Sequence, residues 1–474
     1  MPQISAHLPA PGTSMASHRG DRIVFQLNVQ HAGPGQAFLR TTVGCMEHRR
    51  RAVVARVEQN VRLREIGWHD VPMRPTAPGC FEVELPLEEV GIVEGRAFFL
   101  PEGEDVPVWP KQQGNVQIKV EPAWTRKNLG IYGAFVRLFQ HPEQTAPLAE
   151  QDLARLDALG CTVIPPSGTL RQLAARLDHI HGDLGFSVLL LLPPFPTPTT
   201  WAKMGRFGSP FAPLDFYTID PALAEFDRKT TPLDQFRELI DGVHARGARL
   251  FVDVPINHTG WASRMLALHP EWFKREENGA FKSPGAWGVT WADLVEMHYE
   301  DRALWREMAN IFLHWCREGV DGFRCDAGYM IPTPVWEYIT AKVREQFPDT
   351  VFLLEGLGGP IPKMLDLLGT GGLDWAYSEL FQNYDRGAVE HYLPQAIHQS
   401  QTAGLQVNFA ETHDNNRLAS HGTVWAKMRT ALAALTAPHG AWGISCGAEW
   451  LAREKIAVHG MTPLHWDAEE NQLE

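Results

Sequence analysis

The sequence predicts an α/β chain in which a (β/α)8 barrel over residues 123–474 follows a β-sandwich over residues 21–122. Upstream of Pro122, short alternating runs are broken by Gly and Pro, the pattern of antiparallel strands joined by turns. Downstream, strand-length apolar runs alternate with helix-length amphipathic ones, the pattern of βα units around a parallel sheet. Polar and acidic residues gather where the downstream runs end, which is where a closed barrel carries its chemistry.

Length and charge narrow the classes. A chain of 474 residues exceeds one ordinary core unless one domain is a large barrel. Its formal net charge of -13, without a Lys/Arg cluster, excludes nucleic acid and anionic membrane as expected partners. Residues 1–20, rich in Pro, Gly, Ser and His, show no secretory pattern and are expected to be flexible. No apolar run is long enough to span a bilayer, so a cytoplasmic location is expected. Cys45, Cys80, Cys161, Cys316, Cys325 and Cys446 show no short paired spacing, which argues against a zinc site or a disulfide framework.

Within the first part, strand-like runs fall at residues 23–29, 37–40, 81–85, 97–100 and 116–120. No acidic pair or histidine cluster marks them for chemistry, so packing is the expected role, with glycan contact as the functional alternative. The second part opens with a strand at 131–136, a helix at 170–180 and a fully apolar strand at 188–193. A Pro- and Gly-rich loop carries Phe211, a helix is expected at 232–246, and the strand from Arg249 ends in Asp253, Asn257 and His258. Residues 259–301 form a Trp-rich excursion with Trp272, Trp287 and Trp291. Aromatic side chains there suit either sugar stacking or plain loop packing.

The amphipathic run Trp305, Met308, Ile311, Phe312, Trp315 predicts a helix stopping at Gly319, and the next strand ends in Arg324 and Asp326. Side chains two apart share a strand face, so both point into the barrel while Cys325 points to the helix layer as packing. A helix at 334–346 leads to a strand ending in Glu355. A strand at 373–380 and a helix near 389–398 precede His413 and Asp414, and the last strand spans 441–446.

Three carboxylates on one barrel mouth suit two chemistries. A retaining glycosidase needs a carboxylate nucleophile and a protonated carboxyl about 5 Å apart, with further groups supporting an oxocarbenium-like transition state. A divalent metal site is the rival, and the positive charge of Arg324 beside the carboxylates disfavours it.

The motifs Asp253-x-x-x-Asn257-His258, Gly322-Phe323-Arg324-x-Asp326, Glu355 at a strand end and His413-Asp414 resemble, in order, the four motifs of the α-amylase family of retaining α-glucan-active enzymes. The resemblance spans about Tyr132 to Cys446, and the leading β-module resembles that of bacterial glycogen-active members. It implies Asp326 as nucleophile, Glu355 as general acid/base and Asp414 as the transition-state-stabilising carboxylate. It also implies sugar binding by Arg324, His258 and His413, with Phe211 as a stacking platform and Asp253, Asn257 and Tyr329 completing the substrate-binding set.

The sequence departs from that pattern in three places. Tyr329-Met330 stands where many amylases have a Lys-His pair on the leaving-group side. The usual calcium ligands are not identifiable in the excursion, and no metal or other cofactor is expected. After the eighth strand no amphipathic helix is legible, so the barrel is expected either to lack its last helix or to be a fragment of a longer chain. Hydrolysis of α-1,4 bonds in glycogen or maltodextrins is the first expected activity. Transglycosylation, including maltosyl transfer from a sugar phosphate, comes second, and non-catalytic glucan binding on a degenerate barrel third.

Overall fold

The computed structural model describes residues 2–61, 67–126, 129–140, 150–159, 163–286, 288–437 and 440–461. Cys161 and Trp287 lie outside the described residues.

Residues 3–121 build two facing sheets. One orders Gln3–Leu8, Arg22–Gln30, Cys80–Pro86 and Arg74–Ala77; the other orders Ser14–His18, Val116–Glu121, Gly91–Pro101, Gly35–Thr41 and His69–Pro72. Strict alternation in the Arg22–Gln30 strand sends Phe25, Leu27 and Val29 inward, where they meet Leu39, Phe99 and Ile118 from the other sheet. The expected flexible stretch over residues 1–20 is corrected: it carries the strands Gln3–Leu8 and Ser14–His18. Pro9, Pro11 and Gly12 lie at the turn between the strands, Pro2 and Gly20 flank them, and the strand interiors stay free, while the pairing with Arg22–Gln30 and Val116–Glu121 orders both.

A helix, Met46–Glu58, also interrupts this β region. Only Val54 and Val57 are buried on it, so no apolar stripe announces it in the sequence. It is held by the barrel helix Thr333–Arg344, where the Tyr338 hydroxyl donates to Glu58 Oε1 at 2.9 Å and Lys342 Nζ lies 2.9 Å from the same oxygen.

Eight parallel strands close the barrel in sequence order: Leu129–Ala134, Val188–Leu191, Arg249–Pro255, Gly322–Asp326, Val351–Leu354, Trp375–Tyr377, Gln406–Phe409 and Ala441–Ser445. The helix Pro232–Ala245 starts with a capping box, Thr231 Oγ1 accepting from Asp234 N while Asp234 Oδ2 accepts from Thr231 N. The helix Arg302–Glu318 ends on Gly319 at φ 104°, a left-handed cap that a side chain would strain. Its apolar stripe, with Phe312 and Trp315 at full burial, packs on Phe323, Phe352 and Phe236. Cys325 lies in this layer between strands and helices, as its position predicts.

The helix expected at 170–180 is instead a short α-helix, Leu170–Ala174, followed by a π-helical turn, Asp178–Asp183. After the eighth strand only the 3-10 turn Ala448–Trp450 is helical among the described residues. The chain then runs to residue 461 along the barrel mouth, with Ile456 buried and Val458 carbonyl accepting from Arg137 Nη1 at 3.3 Å.

Candidate active site

The register of the third, fourth and fifth strands sets the site. Asp253 lies beside Arg324, Pro255 beside Asp326, and Cys325 beside Leu354. Glu355 N donates to Cys325 O at 3.1 Å, so Glu355 extends the fifth strand alongside the end of the fourth. Alternation then turns Arg324 and Asp326 inward together.

Arg324 is the anchor. Its Nη1 donates to Asp253 Oδ2 at 2.5 Å and to Asp326 Oδ1 at 2.8 Å, and its Nε donates to the Tyr377 hydroxyl at 2.9 Å. The guanidinium, Asp253 and Tyr377 are buried, so the Asp326 carboxylate is held by a side chain that is itself hydrogen-bonded to two buried partners.

After Asp326 the backbone turns through Ala327 in the left-handed region at φ 45°. The turn aims Ala327 N at Glu355 Oε2, 2.9 Å away, while Leu357 N donates to Glu355 Oε1 at 3.2 Å. Burial pushes the Glu355 carboxyl up to about 7; Arg324 pulls the other way, and the charge of Asp326 adds to the rise. A carboxyl poised near neutrality can give and take a proton at physiological pH.

Phe211, His258, Arg324, Asp326, Tyr329, Glu355, His413 and Asp414 line one cavity of about 350 Å³ at the strand ends. The His258 Nε2 donates to Phe211 O at 3.0 Å, and burial lowers both His258 and His413. The rings of Phe211 and His413 stack with centroids 5.3 Å apart, and His413 Nε2 lies 3.3 Å from Asp414 Oδ2. Asp414 is the open member of the set, its side chain 62% exposed. The loop that carries it is fixed by the buried pair Arg417–Glu411 at 2.6 Å and by Arg417 Nη2 donating to Cys446 O at 2.7 Å.

Two residues of the implied substrate-binding set are not among those that line the cavity. Asp253 is fully buried under Arg324 and does not reach the cavity. Asn257 is also buried and directs its amide to Met330 Sδ at 3.2 Å. Asp253 is covered by the Arg324 guanidinium and Asn257, just past the strand's last residue Pro255, is turned to Met330; the alternation pattern alone locates neither in depth. A soft thioether beside Asn257 does not suit a hard cation, so its surroundings do not fit a calcium ion.

Motif reading missed Tyr377, whose hydroxyl is its link to Arg324 within an otherwise apolar strand, and Leu357, Asp293 and His459 on the cavity wall. Of the excursion's aromatic residues, Trp291 lines the cavity, whereas Trp272 is buried against His269 with ring centroids 3.9 Å apart. The composition hinted at Trp291. Nothing local pointed to His459, which arrives from beyond the last strand.

Comparison with known proteins matches residues 135–352 to the family model for the alpha amylase catalytic domain. Among curated proteins, an alpha-1,4-glucan:maltose-1-phosphate maltosyltransferase of Cereibacter sphaeroides is 29% identical over 291 residues, 56% of this chain and 41% of that protein. The protein of the same name from Pseudomonas aeruginosa is 27% identical over 322 residues, 65% of this chain and 47% of that protein. The chain thus spans less than half the length of these relatives. Among solved structures, an alpha-amylase from Lactobacillus plantarum superposes with a TM-score of 0.55 at 26% identity, covering 70% of this chain and 74% of that one. A debranching enzyme of Nostoc punctiforme shares the fold, with a TM-score of 0.57 at 21% identity over 74% of this chain and 78% of that one.

Proposed function

From the match of residues 135–352 to the alpha amylase catalytic-domain model, we propose that the barrel is a retaining α-glucan hydrolase of the α-amylase family, cleaving α-1,4 bonds of glycogen or maltodextrins by double displacement. The observation that carries this is the pairing of Asp326, clamped by Arg324, with a Glu355 raised to about 7 on the neighbouring strand end of the same cavity. In the first step Asp326 attacks the anomeric carbon while protonated Glu355 gives its proton to the departing glycosidic oxygen. In the second, Glu355 takes a proton from water as the oxygen attacks, and the ester to Asp326 breaks. Asp414 and Arg324 bracket the developing positive charge and the nucleophile, and His258 and His413 hold sugar hydroxyls. Phe211 and Tyr329 flank the sugar at and beyond the cleavage point.

The names of the curated relatives favour a second reading, transfer of maltosyl from a sugar phosphate to glucan. The cavity charge speaks for a neutral donor. Asp293, Asp326, Glu355 and Asp414 face it, Arg324 is its sole Arg or Lys among the described residues, and that guanidinium is committed to Asp253 and Asp326. A phosphate dianion would enter a field of its own sign. Incubation with maltoheptaose, with and without inorganic phosphate, separates the readings. Shorter maltodextrins irrespective of phosphate support hydrolysis; phosphate-dependent maltose 1-phosphate supports the second reading.

A further inference from the structure

Asp293 lies just before the strand Leu294–Glu296, which pairs antiparallel with His258–Gly260, so the excursion folds this residue back over the barrel mouth. It is 8% exposed and lines the cavity, yet it has no hydrogen-bond or ion-pair partner among the described residues. A carboxylate on the cavity wall without a protein partner keeps its acceptor sites free, and the cavity's guanidinium is already shared by two other carboxylates. Such a side chain is open to a ligand that brings donors to it.

His459 lies on the same wall, and its imidazole feels the charge of Asp293, as does that of His258. The backbone around His459 is pinned. Phe207 N donates to its carbonyl at 3.4 Å, and Gly205, at φ 66°, leaves so little room that a Cβ there would meet that carbonyl at 2.3 Å. Neither residue belongs to the strand ends that carry Asp326, Glu355 and Asp414. A carboxylate that only accepts, next to an imidazole that can donate or accept, matches adjacent hydroxyls of a neutral sugar.

We propose that Asp293 and His459 form a hydroxyl-binding subsite for a second glucosyl unit, next to the one at the point of cleavage. This rests on the glucan reading above. The subsite is met only by substrates with at least two sugars, so its loss separates oligosaccharides from a single activated glucose.

The test compares maltoheptaose with α-glucosyl fluoride in Asp293→Asn and His459→Gln proteins, together with thermal unfolding. For Asp293→Asn, kcat/KM on maltoheptaose should fall roughly 10- to 100-fold, the scale of one charged hydrogen bond, with the fluoride changed by less than about threefold. His459→Gln should show a smaller loss with the same selectivity. The melting temperature of Asp293→Asn should hold, because the side chain makes no hydrogen bond or ion pair among the described residues that the amide would lose. Equal loss on both substrates, or a lower melting temperature, would overturn the subsite in favour of a structural role. Calcium-dependent stabilisation of the wild type that Asp293→Asn abolishes would overturn it in favour of a cation. If the wild type turns over neither substrate, the hydrolase reading fails. Maltoheptaose binding by calorimetry then decides the subsite: weaker binding by Asp293→Asn supports it, and unchanged binding refutes it.

Discussion

At the scale of single residues, the proposed chemistry depends on two carboxyls held differently. Asp326 is fixed by Arg324 at 2.8 Å, and Asn in its place keeps the shape but cannot attack the anomeric carbon. Asp326→Asn should therefore be folded and inactive on maltoheptaose, and near-native turnover would remove Asp326 from the mechanism. Glu355→Gln should lose roughly 10² to 10⁴ in rate on glucan and much less on α-glucosyl fluoride, whose leaving group needs little protonation. Glu355 has its carboxyl raised to about 7 and must be protonated for the first step, so that step should slow as pH climbs through about 7. A pH–rate profile of kcat/KM that stays flat to pH 9 would contradict this assignment.

At the scale of elements, adjacency in the barrel determines stereochemistry. Glu355 follows the fifth strand and bonds to the fourth through Cys325 O, so the two carboxyls belong to neighbouring strands about 4.8 Å apart. Double displacement by carboxyls on neighbouring strands, as proposed, implies retention. Proton NMR during early turnover should show the α-anomer first, and β-anomer first would exclude the proposed nucleophile. A second junction joins the sheets to the barrel floor. Lys119, from the strand Val116–Glu121, sends Nζ to the carbonyls of Leu368, Leu373, Asp374 and Ala403 at 3.0, 2.7, 3.0 and 2.7 Å. Beside it, Trp375 Nε1 donates to Glu121 Oε2 at 3.1 Å, and Arg344 pairs with Asp374. Lys119→Met fills the space but strands these buried acceptors. Urea unfolding should register a loss of roughly 3–5 kcal/mol, the cost of breaking a buried charged cluster.

At the scale of the whole molecule, three buried carboxyls share one direction. Burial pushes Glu121, Glu355 and Glu449 each up to about 7, Glu449 while accepting from the Tyr132 hydroxyl at 2.5 Å. Each binds its proton more tightly folded than unfolded, so between about 4.5 and about 7 the folded state holds more protons and stability falls as pH rises. The contribution is complete below 4.5 and gone above about 7. For Glu449 the shift corresponds to roughly 3 kcal/mol. Melting temperatures should drop between pH 5 and pH 8, and Glu449→Gln should flatten that slope. A melting temperature that rises over this range would refute the pattern. No helix among the described residues is long and apolar enough to cross a membrane.

Barrel class, strand order and the acidic strand ends were legible in the sequence because alternation and apolar runs are local, and local periodicity is enough to say which residues end a parallel strand. The run from Arg249 to His258 shows the limit. Alternation marks its polar residues, but only the closed barrel decides that Asp253 and Asn257 lie beneath the wall while His258 reaches the cavity. The strands within residues 1–20 and the Arg-rich helix Met46–Glu58 are likewise stabilised by partners distant in sequence, so neither carries a strong pattern of its own. The sequence by itself determined which residue types stand at the strand ends. Tertiary structure decided the rest: the clamp of Arg324 by Asp253 and Tyr377, the turn at Ala327 that aims an N–H at Glu355, and the meeting on one cavity wall of Asp293, from the excursion after the third strand, and His459, from beyond the eighth. The physical reason is that burial and charge pairing depend on which segments meet in space, and chain closure settles that where local periodicity cannot.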